Sequence, residues 1–132
     1  MKCLQPEGWP RPKGYANGVI ARGRTIFISG MIGSDSRGKV VVGDFVKQAR
    51  QTLKNIVEVL SEAGAKPKHI VRMNWYVVDK HEYLGAYKQL GAVYREIIGR
   101  HYPAMTAVQV TSLLEDAARL EIEVTAVIPD GP

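Results

Sequence analysis

Leu120-Glu121-Ile122-Glu123-Val124-Thr125-Ala126-Val127-Ile128 alternates apolar and polar residues through its first seven positions. That is the pattern of a strand with one buried and one open face. Leu120, Ile122, Val124, Ala126 and Ile128 are expected beneath a helical layer. Glu121, Glu123, Thr125 and Val127 then face the other way. The preceding segment, Ala104 to Val110, also reads as a strand. It is expected beside the first, with Gln109 on the Met105 face and in reach of Glu121 or Glu123.

Further upstream, Phe45, Ala49, Leu53, Ile56, Leu60 and Ala63 recur at helical spacing. Asp44 is placed to cap this helix and Gly64 to end it. The opposite side carries Lys47, Arg50, Lys54 and Glu58. Ile70 to Val78 is rich in β-branched and aromatic residues and reads as a central strand, with Trp75 and Tyr76 on opposite faces. Asp79-Lys80-His81-Glu82 has capping-box spacing. It opens a second helix with Leu84, Tyr87, Leu90, Tyr94 and Ile97 on one side, closed by Gly99.

Residues 1–13 hold three prolines and a glycine and read as an irregular lead-in pinned by Trp9. Val19 to Ala21 and Thr25 to Ser29 suggest a hairpin through Arg22-Gly23-Arg24. Lys39 to Val42 follows a turn at Asp35-Ser36-Arg37-Gly38 and reads as a third short strand. The expected order is β-β-β-α-β-α-β-β: one α+β domain over 1–132, with a mixed sheet and both helices on one face. Two helices cannot cover the second face. It is too apolar for plain surface and too mixed for a core, so association between copies is expected.

The 132 residues suffice for one domain with a core. No apolar run is long enough to span a bilayer, and the N-terminus lacks a secretory pattern, so a cytoplasmic location without membrane attachment is expected. Cys3 is the one cysteine, which excludes an internal disulfide and a two-cysteine zinc or redox motif. The net charge of +5 is scattered, without a basic tract or interleaved aromatics, so no nucleic-acid partner is expected. No zinc-ligand set, phosphate-cradling loop or Ser/His/Asp constellation is present.

Several short stretches together resemble the Rid/YjgF family of reactive-intermediate (enamine/imine) deaminases. They are Gly14-Tyr15-Ala16-Asn17-Gly18, Ile28-Ser29-Gly30-Met31-Ile32, the helix bearing Gln48-Ala49 with Leu53 and Asn55, and Pro103-Ala104 followed by Leu120-Glu121-Ile122-Glu123. The resemblance implies a chorismate-mutase-like fold. It also implies a homotrimer with pockets at subunit interfaces, a small-molecule substrate and no cofactor or metal. In such a site water attacks a 2-imino acid, an arginine holds the carboxylate and a glutamate handles the water.

Carried onto this chain, Glu121 and Tyr15 are the catalytic candidates. Gly30, Met31, Gly91, Met105 and Ala107 are the substrate-binding ones. Met105 stands at the arginine, Ala107 where a cysteine is frequent and Gly91 where an asparagine is frequent. Guanidinium grips a carboxylate through paired, charge-assisted hydrogen bonds; methionine offers only soft apolar surface. The expected activity is therefore imine or enamine hydrolysis on a substrate altered from simple 2-imino acids. A non-catalytic ligand-binding trimer is the alternative. Ribonuclease activity, also known in the family, is disfavoured by the scattered charge. Met105 as plain core packing is an equally open reading. Glu123 reads as structural and His101 as a solvated loop residue. Arg72 and Arg100 are the nearest replacement cations in sequence.

Overall fold

Phe45, Ala49, Leu53, Ile56 and Leu60 are all but inaccessible to solvent, and they form the face that helix α1 (Phe45–Glu62) lays on the sheet. Asp44 starts the helix as expected, its carboxylate accepting from the Lys47 N–H at 2.9 Å. Gly64 follows the helix end in the left-handed region, at φ +71°. The computed structural model describes residues 1–131.

The sheet runs β3 (Arg24–Met31), β6 (Leu120–Ile128), β4 (Ile70–Val77), β5 (Ala104–Gln109) in spatial order. β6 is antiparallel to both of its neighbours, and β5 is parallel to β4. The expected mixed sheet is therefore present, but β5 does not lie beside β6. β4 separates them. The reason is in the burial: Leu120, Ile122, Val124 and Ala126 are all buried, as suits a central strand, whereas no residue of β5 is fully buried. A parallel pair also needs a long crossover. The segment between β4 and β5 supplies it as helices α2 (Lys80–Gly85) and α3 (Tyr87–Ile97).

The single second helix expected from Asp79 is thus two. Asp79 does cap, accepting from the His81 N–H, but Ala86 leaves helical geometry (φ −103°, ψ 11°). Leu84 and Tyr87 are more than half exposed, and the buried stripe begins only at Leu90, Val93 and Tyr94.

The N-terminal region differs most from expectation. Lys2–Leu4 forms a strand, β1, that pairs with β2 (Gly18–Ile20), so β2 makes no hairpin with β3. Trp9 is 60% exposed and pins nothing. Lys39 to Val42 contributes one isolated bridge, Val40 with Ser34, and no strand. Asn55 explains this: its amide donates to the carbonyls of Ile32 and Ser34, drawing the segment after β3 onto α1 and away from the sheet.

Both main helices lie on the face carrying Ile28, Met73, Trp75, Val77 and the even-numbered residues of β6. The other face is uncovered. Phe27 stands there 80% exposed, on the same side as Tyr76, Val108, Glu121 and Glu123.

Candidate functional site

Strand register decides which candidates can meet. Glu121 pairs with Tyr76 and Glu123 with Asn74, placing these four side chains on the open face. Met105 pairs with Met73, Ala107 with Trp75 and Gln109 with Val77, which puts β5's candidates on the helix face. Met105 and Glu121 therefore lie on opposite sides of one sheet. Gln109 bonds to neither glutamate; its Oε1 accepts from the Lys80 N–H at 2.8 Å and ties β5 to the start of α2.

On the open face the two carboxylates differ. Glu123 Oε1 accepts from the Tyr76 hydroxyl at 2.5 Å and from the Asn74 amide at 2.9 Å. These hydrogen bonds, Tyr76's first, hold the Glu123 carboxyl below its usual range, with Arg72 adding a favourable positive charge. The same bond holds the Tyr76 phenol above its usual range. Glu121 has no such partner among the described residues. Gly30 lies against it: a Cβ at Gly30 would sit 2.8 Å from Glu121 Cδ. Met31 pairs with Ile122 and packs against the core, so its side chain faces away from Glu121. Arg72 belongs to this face and is no substitute for a cation at Met105.

On the helix face, Met105 and Gly91 line one cleft of about 210 Å³ between the sheet and α3. Its cations are Lys13 and Arg95, not Arg72 or Arg100. Sequence reading missed both. Arg95 was signalled by its position one helical turn beyond Gly91, but Lys13, in a proline-bounded loop, carries no periodic signal. Gly91 leaves room for Arg95, whose Nη1 would be 3.2 Å from a Cβ there. Trp75 forms part of the wall and, with Tyr83, Tyr87 and Tyr102, makes it aromatic. Ala107 shares this side of the sheet but is exposed and outside the lining.

Tyr15 is 44% exposed and lines a second cleft, of about 370 Å³, with Arg100 and His101. Tyr102 borders both clefts and Gly14, beside Tyr15, borders the first. His101 is anchored rather than solvated. Its Nε2 is 2.7 Å from the Ile70 carbonyl, which requires that nitrogen to carry the proton and donate, and its own carbonyl accepts from the Tyr94 hydroxyl. Among the described residues no group of three His, Cys, Asp or Glu is placed to hold a metal, and no helix is long and apolar enough to cross a membrane.

Two elements expected from the first helix acquire physical roles. Gln48 is buried; its amide donates to the Ala117 carbonyl and its Oε1 accepts from the Arg119 N–H. It thereby fixes the loop that feeds β6 and sets where Glu121 emerges. Asn55 fixes the loop after β3, next to Gly30.

Comparison with known proteins agrees with this architecture. Residues 10–128 match the family model described as Endoribonuclease L-PSP. The human 2-iminobutanoate/2-iminopropanoate deaminase is 34% identical over 119 residues, 89% of this chain and 81% of that protein. A Rid-family protein of unknown function from Yersinia pestis, YyfB, superposes with a TM-score of 0.81 at 32% identity, covering 96% of this chain and 98% of that one. Escherichia coli TdcF, solved with bound serine, superposes at 0.68 with 30% identity, covering 97% and 99%. With nearly the whole chain matched in both sequence and fold, the protein belongs to the Endoribonuclease L-PSP family, the YjgF/Rid family.

Proposed function

We propose that the chain hydrolyses the C=N bond of an imine, or of the imine tautomer of an enamine, derived from a small metabolite, in a site assembled between copies of a cytoplasmic homotrimer. The observation that carries this reading is the contrast on the open face. Glu123 is committed to Tyr76 and Asn74, while Glu121, above the gap left by Gly30, has no partner among the described residues. An uncommitted carboxylate can take a proton from water as the water oxygen bonds to the carbon of a protonated imine, and give it to nitrogen as the C–N bond of the carbinolamine breaks and the remaining hydroxyl proton leaves to solvent. The products are a carbonyl compound and ammonia. The proton count closes without a cofactor.

Geometry supports a site shared between copies, and the family resemblance supplies their number, three. Glu121 and Met105 lie on opposite faces of one sheet. They can serve one substrate only from different copies, with Glu121 of one copy set against the Met105 cleft of the next. Exposed Phe27 and Val108 on the open face supply apolar area for that contact. Tyr15, at the edge of the adjoining cleft, would orient the substrate. The relative named for 2-imino acid hydrolysis and the serine bound to TdcF support a substrate of amino-acid size.

A panel of imines generated from several amino acids tests the reading. Hydrolysis above the buffer rate that is lost in Glu121→Gln supports it. No rate above buffer with any imine, or full activity in the variant, overturns it. One observation favours the alternative of a ligand-binding trimer without catalysis: Met105 brings neither charge nor hydrogen bond to its cleft. That alternative predicts small-molecule binding with no turnover.

A further inference from the structure

Trp75 is 4% exposed, and its indole Nε1 is the one buried side-chain nitrogen or oxygen without a hydrogen-bond partner among the described residues. An indole N–H can only donate, and the edge-on Tyr83 ring beside it, 6.0 Å between centroids, offers at most a weak acceptor. An unpaired buried donor is rare enough in a native fold to call for a partner. Trp75 is also a wall of the Met105 cleft.

The rest of that cleft defines the partner. Its lining contains two cations, Lys13 and Arg95, and no carboxylate. Neither cation is in an ion pair among the described residues, where the pairs are Arg50 with Glu96 and Arg119 with Glu82. Gly91 keeps the space into which the Arg95 guanidinium extends. Between these groups the surface is aromatic: Tyr83 meets both Trp75 and Tyr87 edge to face, and Tyr102 stacks on Tyr94. Met105 adds polarizable apolar surface suited to ring contacts. A cavity of roughly 150 Å³ already holds benzene, so 210 Å³ admits one ring with a carboxylate attached.

We infer that this cleft binds a monocarboxylate bearing a ring-sized apolar group, with the carboxylate taken by Arg95 and Lys13 and the ring packed against Trp75 among Tyr83, Tyr102 and Met105. The anionic anchor comes from α3 and the loop before Tyr15, not from strand β5. Taken with the proposed hydrolysis, on which this last step rests, the substrate class is the imine of an aromatic amino acid.

Binding of phenylacetate to the intact protein, followed by NMR of the indole N–H protons and by calorimetry, tests the inference. Two tryptophans, Trp9 and Trp75, give two signals, assigned by Trp75→Phe or, should that variant not fold, by Trp9→Phe. Phenylacetate is expected to shift the Trp75 signal saturably. Acetate and uncharged phenylacetamide should bind about ten-fold or more weakly, and Arg95→Gln should weaken phenylacetate by a similar factor, as loss of a charge-assisted bond implies. An unmoved Trp75 signal at millimolar phenylacetate, or unchanged affinity in Arg95→Gln, overturns the inference. Binding without hydrolysis of the phenylalanine imine would refute the aromatic substrate class and leave the binding site standing, while hydrolysis of other imines would keep the hydrolytic reading; hydrolysis without phenylacetate binding would refute the site and leave the hydrolytic reading standing.

Discussion

The Tyr76 hydroxyl lies 2.5 Å from Glu123 Oε1, and this bond separates the roles of two glutamates that share one face of a strand. Because the folded Glu123 carboxyl titrates below its usual range, the pair's contribution to stability is complete above the unfolded carboxylate value and is lost as pH falls through the lowered folded one. The phenol of Tyr76, held above its usual range, contributes stability that is complete below its unfolded value and lost as pH rises through the folded one. Tyr76→Phe is expected to cost about 1 kcal/mol or less at neutral pH, since both groups are partly solvated. It should also flatten both pH limbs. Urea unfolding across pH checks this; an unchanged acid limb would contradict it.

Gly30→Ala should affect chemistry more than folding. The glycine is not in the left-handed region, and the added Cβ would meet the movable end of Glu121. Stability is expected to fall by no more than about 1 kcal/mol. Imine hydrolysis should fall by about 10–100-fold as the carboxylate is displaced. Rate and melting temperature measured on the same sample separate the two effects.

Gln48→Ala should do the opposite. It removes a buried side chain that satisfies the Ala117 carbonyl and the Arg119 N–H together. A loss of about 2–4 kcal/mol is expected, from two unpaired backbone groups and a small cavity. Denaturant titration measures it. A loss below about 0.5 kcal/mol would show that the loop before β6 is held by other contacts.

Phe27→Asp tests the docking of the open face of one copy against the next. Phe27 is 80% exposed on a strand beside β6. In the proposed trimer, an aspartate there is expected to give a monomer by light scattering, with hydrolysis lost. A wild-type protein that is itself monomeric would remove the interface site altogether.

Met105→Arg should change substrate preference. A guanidinium placed in the cleft beside Lys13 and Arg95 adds charge and removes ring space. Hydrolysis of 2-iminopropanoate is expected to rise while phenylacetate binding weakens. Steady-state rates with the short imine and calorimetry with the aromatic acid read the two outcomes.

The helix α1 stripe, the alternation of β6 and the opposite orientations of Trp75 and Tyr76 were legible because each depends on local periodicity alone. The chain thereby determined an α+β domain with helices on one side of a mixed sheet, and it placed Glu121 on the uncovered face. Pairing partners are a different kind of fact. Nothing within 104–110 or 120–128 specifies that β4 comes between them, because strand order follows from which strand must be buried on both edges. The same holds for Lys2–Leu4, whose partner lies beyond a proline-rich loop, and for Lys39 to Val42, which lost its place in the sheet to the hydrogen bonds of Asn55. Tertiary structure alone therefore decided that Met105 and Glu121 face apart, that Tyr76 occupies Glu123, and that Arg95 and Lys13 line one cleft with Trp75. These are long-range contacts, fixed only when the elements pack.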